Sequence, residues 1–363
     1  MKRRELELQA DRIETVLRDH KAPARVTGGT VTPRWVQYLL QTSPGIKVNK
    51  IESLSREIAL ALGAHDARIS TTGGAVRIDV PRDDPQPVKF KPLYARLPPQ
   101  IPFGAALLGL ADDGAPLLMR LPSPDVSHVL IAGTTGSGKT ALLRSIVLSL
   151  ILRHRRSEIQ LVLIDPKGGS FLELATAPHL LQPIVTQPDQ ASAALTDLVR
   201  IMETRSQLQT QARSNQLADR ATPISSRAET MLPQIVIVID ELADLIQTGG
   251  SIVNEALTRL VQRGREAGLH VIAATQQPSS SVLGSLMKAN FPLRLVGRVV
   301  SADDARVATG VGGTHAEKLN GHGDFVAVTA SGLVRFQAAY ISGEDVGRML
   351  QQNLLASDSL SIA

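Results

Sequence analysis

Five short, mostly apolar runs recur in the later part of the chain: Val129 to Ala132, Leu161 to Ile164, Ile235 to Ile239, His270 to Ala274 and Leu293 to Val300. Stretches with helical periodicity lie between them, notably Ala141 to Arg153, Asp189 to Arg205 and Ile252 to Glu266. A strand that is apolar on both faces must be covered on both sides. Alternation with helices supplies that cover in a parallel sheet. The pattern therefore predicts an α/β fold with a mainly parallel sheet. It also says where to look for chemistry, because ligands of such sheets bind at the carboxyl ends of the strands.

The first run leads directly into Gly133-Thr134-Thr135-Gly136-Ser137-Gly138-Lys139-Thr140, a complete G-x-x-x-x-G-K-[ST] phosphate loop. Glycines let backbone N–H groups close around phosphates, Lys139 reaches the β/γ oxygens, and the Thr140 hydroxyl is offered to magnesium. A chance Gly-rich turn would lack the buried strand before it and the amphipathic helix after it. The run Ile235 to Ile239 ends in Asp240 and Glu241. Beside a phosphate loop, Asp240 can hold magnesium through water and Glu241 can polarise the attacking water, so ATP and Mg are the expected ligands. Three further strand or helix ends stay open between two readings. Asp165 and Lys167 follow the run Leu161 to Ile164 and fit a surface turn as well as a site. Gln276 follows the run His270 to Ala274 and fits a γ-phosphate sensor or an ordinary strand exit. Arg263 and Arg265 end a helix, where cations favour the macrodipole. An arginine finger donated to a neighbour's ATP uses the same position.

Before residue 90 or so the chain reads as a small α+β unit. Leu6, Ile13 and Leu17 share one face of a first helix, Ile51 to Leu62 forms a second, and Ala75 to Val80 reads as a strand. Gly28-Gly29 and Gly73-Gly74 sit at turns. Prolines cluster over Pro81 to Pro87 and again at Pro98, Pro99 and Pro102, marking a linker or boundary. The net charge of +5 permits an anionic partner, while an aromatic content of 3% argues against base-stacking recognition of single strands. With no cysteine in the chain, disulfides and zinc knuckles are excluded, which fits a reducing cytoplasm. The start is too charged for a signal peptide. The apolar stretch Ala141 to Leu152 is broken by Arg144 and too short to span a bilayer, so no membrane insertion and a cytoplasmic location are expected.

At this point the residues resemble the FtsK/SpoIIIE translocases. Ser127 to Ala132 followed by the phosphate loop carries the resemblance. So do LIDPK (Leu163 to Lys167), ELADL (Glu241 to Leu245), AGLHVIAATQ (Ala267 to Gln276), KANFPLR (Lys288 to Arg294), SADDAR (Ser301 to Arg306) and GHGDF (Gly321 to Phe325). Pro44 to Ala59 is similar to that family's α domain. The resemblance implies a RecA-like P-loop ATPase motor over 96–345, a small α+β domain over 1–95 and a tail over 346–363. It implies hexameric rings of identical chains around double-stranded DNA, moved by ATP hydrolysis. By the same resemblance Arg265 is the matching arginine-finger position, and Lys288 and Arg306 match positions associated with DNA-contacting loops. Two departures remove positive charge near the implied channel, since Gln277 stands where the family commonly has arginine and Ala302 where it commonly has lysine. The family's membrane anchor and winged-helix reader have no counterpart in the residues given. A RecA-like ATPase that moves protein, as in type VII secretion, is the alternative, and missing transmembrane helices count against it. A nucleotide-binding scaffold without turnover is opposed by intact Lys139, Asp240 and Glu241.

Overall fold

A computed structural model describes residues 3–72, 75–218, 232–278 and 291–360, with side chains for all of these except 72, 213–218 and 355–360. The chain divides into two compact units, Met1–Pro87 and Val88–Ala363.

In the first unit, helix α1 (Arg3–Asp19) buries Ile13 and Leu17, four residues apart on one face. Strands β1 (Ala24–Val31), β2 (Trp35–Thr42), β3 (Arg68–Thr72) and β4 (Ala75–Pro81) form an antiparallel sheet in the order β1-β2-β4-β3. Alternate residues Val36, Tyr38 and Leu40 of β2 and Val76, Ile78 and Val80 of β4 supply its buried face. The helix expected from Ile51 to Leu62 is two, α2 (Val48–Glu52) and α3 (Ser55–Leu62). The Ser53 hydroxyl donates to the Lys50 carbonyl at 2.8 Å and the Leu54 N–H to the Ile51 carbonyl at 2.9 Å, which tightens the chain into a corner.

The second unit begins earlier than residue 96. Helix α4 (Phe90–Tyr94) sends Phe90 and Leu93 into the larger core. The Phe90 N–H donates to the Tyr340 carbonyl at 2.9 Å, and the Tyr340 N–H to the Val88 carbonyl at 2.7 Å. The boundary thus falls inside the first proline cluster. The second cluster is held within the unit, where the Arg153 guanidinium donates to the Pro98 and Pro99 carbonyls.

Among the described residues its sheet has nine strands. In chain order they are β5 (Ala105–Ala111), β6 (Pro116–Arg120), β7 (Val129–Ala132), β8 (Ile159–Ile164), β9 (Gln234–Ile239), β10 (Leu269–Thr275), β11 (Leu293–Val296), β12 (Asp324–Thr329) and β13 (Gly332–Ala338). The sheet order is β6-β5-β13-β12-β11-β7-β10-β9-β8. From β11 to β8 all pairings are parallel, and from β6 to β11 all are antiparallel. The sheet is therefore mixed, and its parallel half is made of the five apolar runs. Those runs are continuous because both faces are covered. Val129, Ile131, Leu161, Leu163, Val236 and Val238 face one core, together with Leu142 and Ile146 of α5 (Lys139–Arg153). Leu130, Val162, Ile164, Ile235, Ile237 and Ile239 face the other, with Leu198 of α6 (Pro188–Ala218) and Leu257 of α7 (Leu242–Arg263). Each of these fully buried aliphatic side chains contributes about 1.5–3 kcal/mol.

Three element ends differ from expectation. The strand expected over Leu293 to Val300 stops at Val296 and is followed by Gly297, where a Cβ would lie 3.0 Å from both the Phe325 ring and Ser137. Past α8 (Ala302–Thr309), the residues expected as a tail form helix α9 (Gly343–Leu360), whose Val346 and Leu350 join the first core. Helix α7 begins ten residues before the expected Ile252, at Leu242, and is interrupted at Gly250 (φ 60°, ψ −144°). No helix among the described residues is long and apolar enough to cross a membrane.

Candidate active site

Strand β7 is buried along its whole length and sits between β10 and β11, with β9 one strand further. Register places Ala132 beside Thr275, and Ile239 beside Ala273. The phosphate loop, Gln276, and Asp240 with Glu241 therefore emerge together from one edge of the sheet, the carboxyl edge.

The loop's shape is made by glycine. Gly136 (φ 78°) and Gly138 (φ 102°) lie in the left-handed region, and a Cβ at Gly138 would stand 2.8 Å from the Gly323 nitrogen. Helix α5 starts after Gly138 with no side-chain cap, which leaves its first N–H groups and the positive end of its dipole facing the loop. Lys139 is buried, and its Nζ donates to the Gly133 carbonyl at 2.7 Å and the Thr134 carbonyl at 3.0 Å. Burial pushes this ammonium below its ordinary pKa, while the Glu241 and Asp240 carboxylates pull it back up.

Glu241 is buried and Asp240 half-buried. Burial raises the Asp240 pKa; the Ser170 hydroxyl, donating to Asp240 Oδ2 at 2.7 Å, draws it down, and the Asp165 carboxylate raises it further. Glu241 is 2% exposed, and burial raises its pKa too. The Gln276 N–H opposes that, donating to Oε1 at 3.2 Å and Oε2 at 3.3 Å, as do the Thr275 hydroxyl and the Lys167 ammonium. The Gln276 side chain faces the other way, its Oε1 accepting from the Thr135 hydroxyl at 2.8 Å. Gln276 thus joins the phosphate loop to Glu241, a geometry beyond that of an ordinary strand exit.

The donor set suits a nucleoside triphosphate with magnesium. A hydroxyl at Thr140 and a carboxylate at Asp240 are hard oxygen ligands. Magnesium takes few of these from protein, completing its shell with phosphate and water. Among the described residues no cluster of three or more His, Cys, Asp or Glu is grouped to hold a metal by itself. Magnesium would neutralise phosphate charge here, and Lys139 would share that task.

Other expected residues lie elsewhere. Arg265 is exposed in the turn before β10, at the amino end of the strand whose carboxyl end carries Gln276. Seven residues of strand put it about 20 Å from its own phosphate loop, out of reach of that loop. Arg306, Gln277 and Ala302 are exposed, Arg306 and Ala302 on α8. Lys288 lies outside the described residues.

Sequence reasoning missed the brace behind the loop. The His322 N–H donates to the Gly136 carbonyl at 2.9 Å and the Gly323 N–H to the Ser137 carbonyl at 2.7 Å. Thr134 donates its N–H to the Arg298 carbonyl at 2.8 Å and its hydroxyl at 3.1 Å. Gly321, His322 and Gly323 all have positive φ, and His322 holds φ 49° without being glycine. The buried Asp324 anchors this turn, accepting from Asn320 N–H at 2.9 Å and Arg335 Nε at 2.8 Å. The run Gly321 to Phe325, which carries part of the family resemblance, backs the phosphate loop.

Comparison with known proteins follows the same lines. Residues 105–280 match the sequence model of the FtsK/SpoIIIE family, and residues 1–82 match that of the FtsK alpha domain. The chain is 37% identical over 355 residues to the DNA translocase FtsK of Bacillus cereus, covering 94% of this chain and 44% of that one. It is 36% identical over 354 residues to the DNA translocase FtsK of Staphylococcus aureus, with the same coverage. The chain thus spans less than half the length of the curated relatives it matches. Among solved structures, the cytoplasmic domain of the Thermomonospora curvata type VII secretion ATPase EccC superimposes with a TM-score of 0.61 at 26% identity, over 74% of this chain and 34% of that one. The pCW3 conjugation coupling protein TcpA, in its monomer form with ATPγS, gives a TM-score of 0.61 at 20% identity, over 96% of this chain and 99% of that one. The second likeness is one of fold alone.

Proposed function

Because this chain belongs to the FtsK/SpoIIIE family, with its RecA-like P-loop fold, we propose that it hydrolyses ATP to move double-stranded DNA through a ring of its own copies. The observation that carries the reading is the convergence of Lys139, Asp240, Glu241 and Gln276 on one sheet edge. In this reading the α5 N-terminus and Lys139 hold the phosphates, with Thr140 and Asp240 toward magnesium. Glu241 takes a proton from the attacking water, and Gln276 links phosphate occupancy to Glu241 through its side chain and backbone. The position of Arg265, remote from its own loop, supports a site completed by a neighbouring chain and hence a ring, hexameric as the resemblance implies. Arg306 on α8 and Lys288 are the proposed DNA contacts.

The test is ATP hydrolysis with and without duplex DNA, together with displacement of a third strand from a triplex. Duplex should stimulate turnover, and Lys139→Ala should abolish both hydrolysis and displacement, since that ammonium offsets charge that grows during cleavage. Wild-type turnover in the variant would overturn the site. The likeness to EccC favours a second reading, transport of protein. Stimulation by unfolded polypeptide and indifference to duplex would select it.

A further inference from the structure

By sequence the loop that follows β8 fits a surface turn as well as a site, and its contacts bear on which it is. Asp165 is 1% exposed, and its carboxylate is used inside the loop. Oδ1 accepts the Gly168 N–H at 3.0 Å and Oδ2 the Ser170 N–H at 2.7 Å, with Gly168 in the left-handed region at φ 72°. The loop's outer end is held by the phosphate-loop helix. Arg144 of α5 donates to the Ser170 carbonyl at 2.8 Å and the Gly169 carbonyl at 3.3 Å, and pairs with Glu173 at 3.5 Å. So fixed, the loop presents two side chains to the two carboxylates. Ser170 donates to Asp240, and Lys167 Nζ lies 3.7 Å from Glu241 Oε2 and 3.1 Å from Asp244 Oδ2.

We propose that this loop is a working part of the active site and that Lys167 is a positioning residue acting through Glu241; the proposal rests on the ATPase reading above. A lysine of a solvated turn keeps its ammonium in water. Here the side chain is half exposed and reaches a carboxylate that is nearly buried, where a charge at this distance acts more strongly than at the surface. Gln276 N–H approaches both oxygens almost equally, and the Thr275 hydroxyl is one short arm. Lys167 comes nearest to Oε2, so its charge bears on the carboxylate from that side and favours one orientation of it. Asp244, one turn into α7, holds the ammonium from its other side.

Steady-state ATP hydrolysis by the full chain on duplex DNA, with binding of a fluorescent ATP analogue, tests this. Lys167→Met should lower kcat by about 10- to 100-fold, a share of what an oriented general base supplies. KM, analogue affinity and the melting temperature should be unchanged. Lys167→Arg, which keeps the charge, should recover most of the loss. An unchanged or increased kcat in Lys167→Met overturns the inference, and so does an Arg variant as slow as the Met variant. Lys139→Ala separates the two levels. If it too retains turnover, the ATPase assignment itself fails; if it is dead while Lys167→Met is normal, this inference alone falls.

Discussion

At Glu241, burial raises the carboxyl pKa while Gln276, Thr275 and Lys167 act against that rise. A group in that balance can accept a proton from water that has lost its bulk hydration. Replacing it with glutamine keeps the shape and removes the acceptor. Glu241→Gln should therefore retain ATP on the protein while single-turnover hydrolysis falls by about 100-fold or more. Normal turnover would move the base elsewhere. The residues that were legible in the sequence share one property: the signal that marks them lies in the adjoining chain. The phosphate loop is one contiguous segment, and Asp240 and Glu241 end a run whose composition marks it as buried. Ser170 sits 70 positions from Asp240, and Arg298 sits 164 from Thr134, so only the folded sheet brings them together. Lys167 was visible, but nothing in its local sequence says that its ammonium turns inward.

Among elements, the parallel strands were readable because they are apolar on both faces, whereas of the antiparallel ones only β4 was. Strand β13 opens with three exposed residues before its first buried one, Phe336, and so shows little alternation. Helix α7 was half read because Gly249 and Gly250 interrupt its apolar period, and the part from Ile252 onward alone looked like a helix. Its far end carries the arginine question. Arg265→Ala should leave nucleotide affinity near wild type and cut turnover, because the side chain cannot reach its own site. Mixed with an excess of Lys139→Ala chains, which still offer Arg265, the variant should recover activity at hybrid interfaces. Co-assembly verified by pull-down without recovery would leave Arg265 a cation that favours the end of its helix.

For the molecule as a whole, acid should be damaging before neutral pH is far behind. Burial depresses the pKa of His128 to about 3 and lowers those of His154, His179 and His270, all in the larger unit. His128 Nδ1 accepts the Val271 N–H at 3.0 Å, a bond that needs the neutral ring. Below the unfolded value of 6.5 the unfolded chain binds protons that the folded one refuses. The stability these rings permit is thus complete above that pH and declines below it, by up to about 1.4 kcal/mol per pH unit for each ring. Urea midpoints should fall steadily from pH 7 to pH 5, and a flat profile would mean that the rings are solvated. Binding to DNA adds a charge test of the same global kind. Gln277→Arg with Ala302→Lys should tighten duplex binding and steepen its log–log salt slope by about 0.9 for each new phosphate contact. An unchanged slope would place both positions away from DNA. One further consequence lies in α7, which starts beside Glu241 and finishes just before Arg265. In a closed ring whose arginines reach across, this one rod would have its two ends in consecutive reaction chambers. A shift of Glu241 would then be felt next door as a displacement of the finger. The break at Gly250 interrupts the rod, and how stiffly that break carries motion would set whether adjoining chambers fire in phase or in turn.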